Sequence, residues 1–234
     1  MGIQDIFPQT LFEIGGIPIK DTVLQTWIVV AVLVGLAYWT RERYRAWDPK
    51  SWQLVVETLV NYVEDLIIDI GGRPLPELVP YLTTMIGFIT IANLLGLLPI
   101  FQAPTRDLNT TIALALVSLG SSYALAIHSR GVTGWLKSFI EPVVFILPLN
   151  ILGHISRVAS MSLRLFGNVV AGEIIGGVMF MLLPLLAPLP MYFLMSITGV
   201  LQALVFTVLT LVFMIDAMGE EQETTANDLT SHPS

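Results

Sequence analysis

Residues 149–182 read LNILGHISRVASMSLRLFGNVVAGEIIGGVMFML, a long apolar segment that nevertheless carries arginine, histidine and glutamate. The apolar character continues from residue 143 to residue 218, interrupted mainly by a proline-rich segment at 183–190. Proline ends helices because it has no amide hydrogen, so this pattern predicts two helices, at about 149–182 and 190–217. At ~1.5 Å per residue the first would be ~50 Å long, whereas a hydrocarbon core is ~30 Å thick. We therefore expect a hairpin of two long helices that are strongly tilted in a membrane.

Polar side chains of the first of these helices share one side of it. On a wheel of 3.6 residues per turn they fall within an arc of about 80° along roughly 27 Å of helix. Lipid cannot solvate such a stripe, which predicts that it faces protein or water. Its members are Asn150, His154, Arg157, Arg164 and Asn168.

Arg164 is the member with the highest cost of burial. An arginine at mid-bilayer costs about 2.5–3.5 kcal/mol on insertion scales, and its guanidinium cannot become neutral. A permanent positive charge there suits two tasks, keeping a nearby carboxyl group ionised and blocking the leak of cations or protons. The structural alternatives are an arginine reaching the headgroups and an ion pair with Glu173. The apolar-rich residues that follow argue against the first, and a separation of about 180° on the helix argues against the second.

Four more polar residues are candidates for the same site. Glu173 lies deep in the helix and suits proton relay, or is a neutral, hydrogen-bonded acid. Gln202, in the last helix, is either an interhelical hydrogen-bonding residue or a partner of Arg164 or of an incoming carboxylate. Asp107 and Asn109 precede another apolar segment, where they would begin a polar funnel or lie in a solvated loop.

The rest of the chain predicts three further spans, at about 22–40, 81–101 and 111–126. Residues 52–70 have acidic and amide side chains on one side and apolar side chains on the other. This pattern is typical of a helix that lies along a membrane interface, or of an amphipathic helix packed on a partner. The predicted fold is therefore an all-α integral membrane protein, with about five membrane helices and one interfacial helix.

Basic residues give the predicted orientation. The densest basic cluster follows the first span, and positive charge favours the cytoplasmic side. We therefore expect the N-terminal segment, 1–21, outside the membrane, and the acidic tail, 219–234, in the cytoplasm. The cluster consists of Arg41, Arg43, Arg45 and Lys50.

Composition excludes several classes of function. Hydrophobic residues make up 54% of the chain and charged residues only 12%, against about 25% charged in soluble domains. There is no cysteine, and the three histidines are scattered, so we expect no metal site. No nucleotide-binding loop or nucleophile elbow is present, so we expect neither a catalytic residue nor a cofactor. The net charge of −7 and the acidic tail argue against nucleic acid as a partner.

The segment from Ser162 to Glu173, SLRLFGNVVAGE, resembles the signature of subunit a, the stator channel subunit of bacterial F-type ATP synthases. The resemblance extends over the chain except for its first twenty residues and its acidic tail. The segments that carry it are Asn93-Leu94 with Gly96-Leu97, Pro104-Thr105 with Asp107-Leu-Asn109, and Leu201-Gln202-Ala203.

The resemblance implies a subunit that is no enzyme by itself but translocates ions within an ATP synthase of the bacterial plasma (inner) membrane. Two offset half-channels would load and unload the carboxylates of a ring of subunit c. Arg164 would match the essential arginine, Asn168 and Gln202 its polar neighbours, Glu173 an acid of the outer half-channel and Asp107 an acid near its mouth. The implied partners are the subunit c ring, peripheral stalk subunit b, other ATP synthase subunits and the lipid bilayer.

Two positions depart from the pattern of that family. Where many bacterial members carry acids before the residue that matches Arg157, this chain has Asn150 and His154. His154 would then supply a titratable step. Two other classes of function also remain open. One is a secondary proton-coupled transporter, which should show internal repeats that we do not find. The other is a scaffold subunit that transports nothing.

Overall fold

The computed structural model describes residues 10–14, 17–43, 51–97, 101–140, 147–182 and 188–231. Within these ranges the chain forms a two-stranded hairpin, six α-helices and a short 3-10 helix at Pro104–Arg106. The elements are β1 (Thr10–Ile14), β2 (Ile17–Lys20), α1 (Asp21–Arg43), α2 (Ser51–Gly71), α3 (Val79–Leu95), α4 (Leu108–Ile140), α5 (Leu147–Leu182) and α6 (Pro188–Ser231). Residues outside the described part include Arg45, Lys50, most of the proline-rich segment (183–187) and residues 232–234 of the tail.

The helices confirm the predicted all-α membrane fold. Four of the described helices are long and apolar enough to cross a membrane, and α3 is a shorter apolar helix. Large apolar side chains, such as Trp27, Leu152 and Phe193, lie exposed on them, as expected where lipid is the solvent. The four candidate spans are Asp21–Arg41, Leu108–Ser129, Pro148–Leu182 and Leu189–Met218.

The N-terminal segment contains structure that the sequence analysis does not predict. Strands β1 and β2 pair antiparallel, with Ile14 opposite Ile17 and Phe12 opposite Ile19. β2 ends at Lys20, and α1 begins at the next residue, Asp21. Two charged residues, Lys20 and Asp21, therefore lie at the junction of the hairpin and the first membrane helix.

Helix α2 has the expected amphipathic character, with one exception. Val63 and Ile67 are buried against the core, while Glu64 and Asp65 on the other side are exposed. Gln53, expected on the polar side, is instead buried, and its side chain donates a hydrogen bond to Glu57. The amide can be buried because that bond satisfies it.

Helix α3 ends earlier than predicted. It stops at Leu95 rather than near residue 101 and has 17 residues, or ~26 Å, less than the thickness of a hydrocarbon core. The chain then returns so closely that a Cβ atom built on Gly96 would lie 2.6 Å from the Cβ of Ala103. This contact needs a residue without a side chain at position 96.

Helix α4 continues beyond its predicted end at residue 126. Gly131 interrupts it with φ 72° and ψ 166°, and helical structure then resumes as far as Ile140. A positive φ is readily adopted only by glycine, so the position of Gly131 in the sequence determines where the helix is interrupted. Helical structure therefore extends well beyond the predicted third span, 111–126. Helix α6 likewise passes its predicted end at 217 and reaches Ser231, within the predicted tail.

Helix α6 is the centre of the bundle and contacts α2, α3, α4 and α5. Its fully buried Phe206 and Leu211 pack in one cluster with Leu82 of α3 and Leu165 of α5. A pair of hydroxyl groups joins α4 to α6, because the side-chain oxygen atoms of Ser118 and Thr210 lie 2.7 Å apart. α5 and α6 pack against each other as the predicted hairpin.

We predict that Gly96→Ala lowers the free energy of unfolding by about 1–3 kcal/mol, because the new methyl group overpacks the contact with Ala103. The matched control is Gly120→Ala on α4, where nothing lies within 4 Å of the new Cβ atom. This variant should lose no stability and gain up to about 1 kcal/mol from helix propensity. Denaturation of the purified protein in detergent measures both, and equal stabilities would contradict the prediction.

Candidate functional site

The polar residues of α5 separate into groups at two ends of the helix bundle. We call the end where α1 and α4 begin and α3 finishes the N-terminal end, and the end where α5 begins the opposite end. Glu173 belongs to the first and Arg157 to the second. Arg164 lies between them, ~13 Å along the helix axis from Glu173 and ~10 Å from Arg157.

Asp107 is a buried, fully engaged carboxylate at the N-terminal end. Its side chain is only 7% exposed and lies 2.8 Å from Nζ of Lys20, measured from Oδ2. Thr22 donates a hydrogen bond to the same oxygen, and the backbone N–H of Asn109 donates to the other. Asp107 thereby caps α4, so the alternative of a solvated loop acid is wrong. Asn109 itself is exposed.

Arg106, in the polar stretch between the predicted spans 81–101 and 111–126, is almost completely buried. Its side chain is 1% exposed and forms an ion pair with Asp21 at the start of α1. The two pairs form what we call the four-charge cluster: Lys20 and Asp21 from the N-terminal segment, Arg106 and Asp107 from the loop before α4. The sequence carries one sign of this cluster, because a basic residue followed by an acidic one stands at the start of each of two apolar helices.

Asn93 joins three elements beside this cluster. Its Nδ2 donates to the carbonyl oxygen of Gly199 on α6, and its Oδ1 accepts a bond from the hydroxyl of Thr105, each at 2.9 Å. Asn93 is 8% exposed and Thr105 is fully buried. The amide thus fixes the 3-10 helix, and with it Arg106, against α3 and α6.

Glu173 and Asn168 line one small cavity with Asn93 and Thr198. Its volume is about 20 Å³, which is room for a single water molecule. Glu173 is partly buried and lies within electrostatic range of Arg106 and Asp21. The structure therefore brings Glu173 and Asn168 together and places Asn93, Thr198, Arg106 and Asp21 near them.

A larger cavity of about 510 Å³ lies between α4 and α5, but its chemistry does not suit an ion. Its walls are almost wholly apolar, with residues such as Ile112, Leu116 and Leu163, and His154 and Tyr123 at one end. Polar groups that can hold water or a proton are concentrated instead around the small cavity beside Glu173.

Arg164 lies exposed on the surface of α5, one turn from Ser160, whose Oγ is 3.4 Å from a guanidinium nitrogen. Among the described side chains no carboxylate forms an ion pair with it, which leaves the alternative of an internal pair without support. Within the described part of α5 it is the only charged residue that is exposed, and its exposed neighbours are apolar or small. The exposed face of α6 is also uncharged as far as Asp216.

Gln202 of α6 is partly buried. Within the described residues its side chain makes no hydrogen bond, so the predicted interhelical bond is not found there.

At the opposite end the remaining predicted residues contact different helices. Arg157 points to α6, where its guanidinium lies 3.7 Å above the ring of Phe213 and 3.6 Å from a carboxylate oxygen of Asp216. The ring of His154 meets that of Tyr123 on α4 edge to face, with 5.5 Å between centroids. Asn150 is partly buried one turn earlier. The predicted single polar stripe is thus divided among several environments.

Comparison with known proteins gives one consistent result. A family model described as ATP synthase A chain matches residues 23–215. The chain is 39% identical over 209 residues to ATP synthase subunit a 2 of Bradyrhizobium sp., covering 89% of this chain and 93% of that protein. It is 32% identical to ATP synthase subunit a 1 of Crocosphaera subtropica, covering 96% and 99%. It is 31% identical to ATP synthase subunit a of Legionella pneumophila, covering 92% and 93%.

We predict that Asn93→Leu lowers the free energy of unfolding by about 1–3 kcal/mol, because it leaves the buried hydroxyl of Thr105 and the carbonyl of Gly199 without their partner. The matched control is Asn61→Leu on the exposed side of α2, which should change stability by less than about 0.5 kcal/mol. Denaturation in detergent measures both variants. Equal stabilities would show that Asn93 does not hold α3, the 3-10 helix and α6 together.

Proposed function

The chain belongs to the ATP synthase subunit a family, and from this premise we propose that it translocates the coupling ion, with Arg164 as the fixed charge at the point of transfer. Membership makes it a multi-pass membrane subunit and a component of the membrane sector of an ATP synthase complex. In this proposal the subunit catalyses no reaction by itself. It couples ion flow to the rotation of a ring of subunit c.

The observation that carries the proposal is the isolation of Arg164 on an apolar, exposed face. A guanidinium keeps its charge at every accessible pH, and in a bilayer that charge costs several kcal/mol unless a counter-charge or water is near. Among the described residues the chain supplies no carboxylate to it. A partner that brings carboxylates to this face satisfies the charge, and the subunit c ring is such a partner.

Arg164 then performs both tasks from one position. When a protonated ring carboxyl group approaches, the guanidinium favours its ionised form, so the proton leaves. A free proton or metal cation that approaches the same point is repelled, because the positive charge cannot be removed. Ions therefore pass only on the ring. Gln202, on the neighbouring helix, would contribute polar contacts to the carboxylate.

The two polar ends of the bundle would form the two half-channels. The outer one would run from Asp107 and Asn109 to the small cavity that holds Asn168 and Glu173. Glu173 would receive the ion there and pass it to the ring.

The inner half-channel would lie near Asn150, His154 and Arg157, at the opposite end of the bundle. Their separation along α5, with Arg164 between them, supports two offset paths rather than one continuous pore. Moving one charge across 100 mV is worth ~2.3 kcal/mol, so a continuous pore would lose the energy that drives rotation.

The proposed orientation follows from the basic cluster after α1. The N-terminal end of the bundle would face outside and the C-terminus the cytoplasm, in a bacterial plasma membrane. Helix α2 would lie along the cytoplasmic interface, and the tilted hairpin of α5 and α6 would follow the ring. Peripheral stalk subunit b and the other ATP synthase subunits would hold this stator in place.

We predict that Arg164→Ala abolishes both ATP synthesis and ATP-driven pumping in membrane vesicles, since the ring carboxylates lose their counter-charge. Arg164→Lys should also fail, because an ammonium group lacks the planar, permanent charge of a guanidinium. The matched control is Ser160→Ala, one turn away, which should keep most of the coupled activity. Retention of about a third of the activity by Arg164→Ala, in vesicles with normal amounts of subunits a and c, would instead favour a scaffold role.

A further inference from the structure

The four-charge cluster is unusual because its most deeply buried member is a second arginine. The side chains of Arg106 and Asp107 are 1% and 7% exposed, while those of Asp21 and Lys20 are 18% and 28% exposed. The cluster has no net charge, but its parts differ in their access to water. The positive charge of Arg106 is the one least screened by solvent.

The 3-10 helix that carries Arg106 lies directly on the proposed ion path. It contacts α1, α3, α4 and α5, and the bond from Thr105 to Asn93 fixes it beside the cavity that Glu173 lines. The charged groups within electrostatic range of Glu173 are Arg106, before α4, and Asp21, on α1. Asp107 and Lys20 form the other ion pair of the cluster. Helices α3 and α6 line the cavity with uncharged side chains.

We propose that Arg106, held in place by Asp21, is a positioning residue that controls how readily Glu173 takes up a proton from the outer side. This inference rests on the proposed function and adds to it a residue for which neither the composition nor the resemblance predicts a role. A buried positive charge beside the path opposes the arrival of a proton, and Asp21 offsets part of that opposition. The pair therefore sets the proton concentration at which the outer half-channel fills.

Arg106 and Asp21 act on Glu173 in opposite directions. Replacing one or the other should therefore shift the outer proton concentration for half-maximal ATP synthesis in opposite directions. Arg106→Gln removes the repelling charge, so half-maximal ATP synthesis should need a lower outer proton concentration, by a factor on the order of three to ten. Asp21→Asn removes the attracting charge and should raise that concentration. Because Asp21 offsets only part of the effect of Arg106, the double variant should lie between Arg106→Gln and the parent protein. ATP synthesis is measured in vesicles across a range of outer pH at a fixed membrane voltage.

A purely structural role makes a different prediction. If Arg106 and Asp21 only hold the loop in place, each variant lowers the maximal rate without moving the half-maximal proton concentration, and the proposal fails. If Asp21→Asn does not accumulate in membranes, the step from Arg106→Gln to the double variant gives the effect of Asp21, which must raise that concentration. Immunoblots give the amount of subunit in each preparation.

Lys20→Gln is the matched control, since it removes a positive charge of the same cluster that is better exposed to solvent. Its shift should be smaller than that of Arg106→Gln, and an equal shift would overturn the special position of Arg106. Arg164→Ala in the same vesicles separates the two proposals. If it is inactive while Arg106→Gln shows no shift, only this inference fails. If it stays active, the proposed function fails.

Discussion

The central constraint on this structure is the charge of Arg164. That charge cannot be neutralised, yet it lies on an exposed, apolar face of α5. Arg164 has no carboxylate partner among the described residues, and the faces of α5 and α6 around it are apolar. Such a charge is costly in a bilayer until a counter-charge or water reaches it. In the proposed function, a partner within the ATP synthase complex supplies that counter-charge.

The buried charges at the N-terminal end, in contrast to Arg164, are paired within the chain. Arg106, Asp107 and their partners neutralise one another inside the chain, and Asp107 also caps a helix. A buried ion pair adds little net stability, but removing one partner is costly, so such a cluster specifies geometry. It joins the N-terminal hairpin, the 3-10 helix and the start of α4 at the place where the cavity beside Glu173 lies. The charges at the N-terminal end are thus paired within the chain, whereas Arg164 has no carboxylate partner among the described residues.

Much of the architecture could be predicted because its causes are local. Apolar runs of the right length predict α1, α4, α5 and α6, and the proline-rich segment separates the last two. The close approach of the chain to the end of α3 could not be predicted, because the contact of Gly96 with Ala103 depends on tertiary packing rather than on residue type. The hairpin of β1 and β2 was missed for a similar reason, since pairing between two short strands leaves only a weak pattern in the residues.

The residues alone predicted a membrane protein, which the helices confirm, and an arginine that would keep its charge at bilayer depth. Both inferences were possible because burial cost and periodicity depend on residue type and spacing. The residues could not show that Arg106 is buried or that Asp107 is held by Lys20, 87 positions away in the chain. Nor could they show that the polar side of α5 is shared among several neighbours, with His154 facing α4 and Arg157 facing α6. Those facts depend on which helices pack together, and packing is a property of the folded bundle, where distant charges meet and water is excluded.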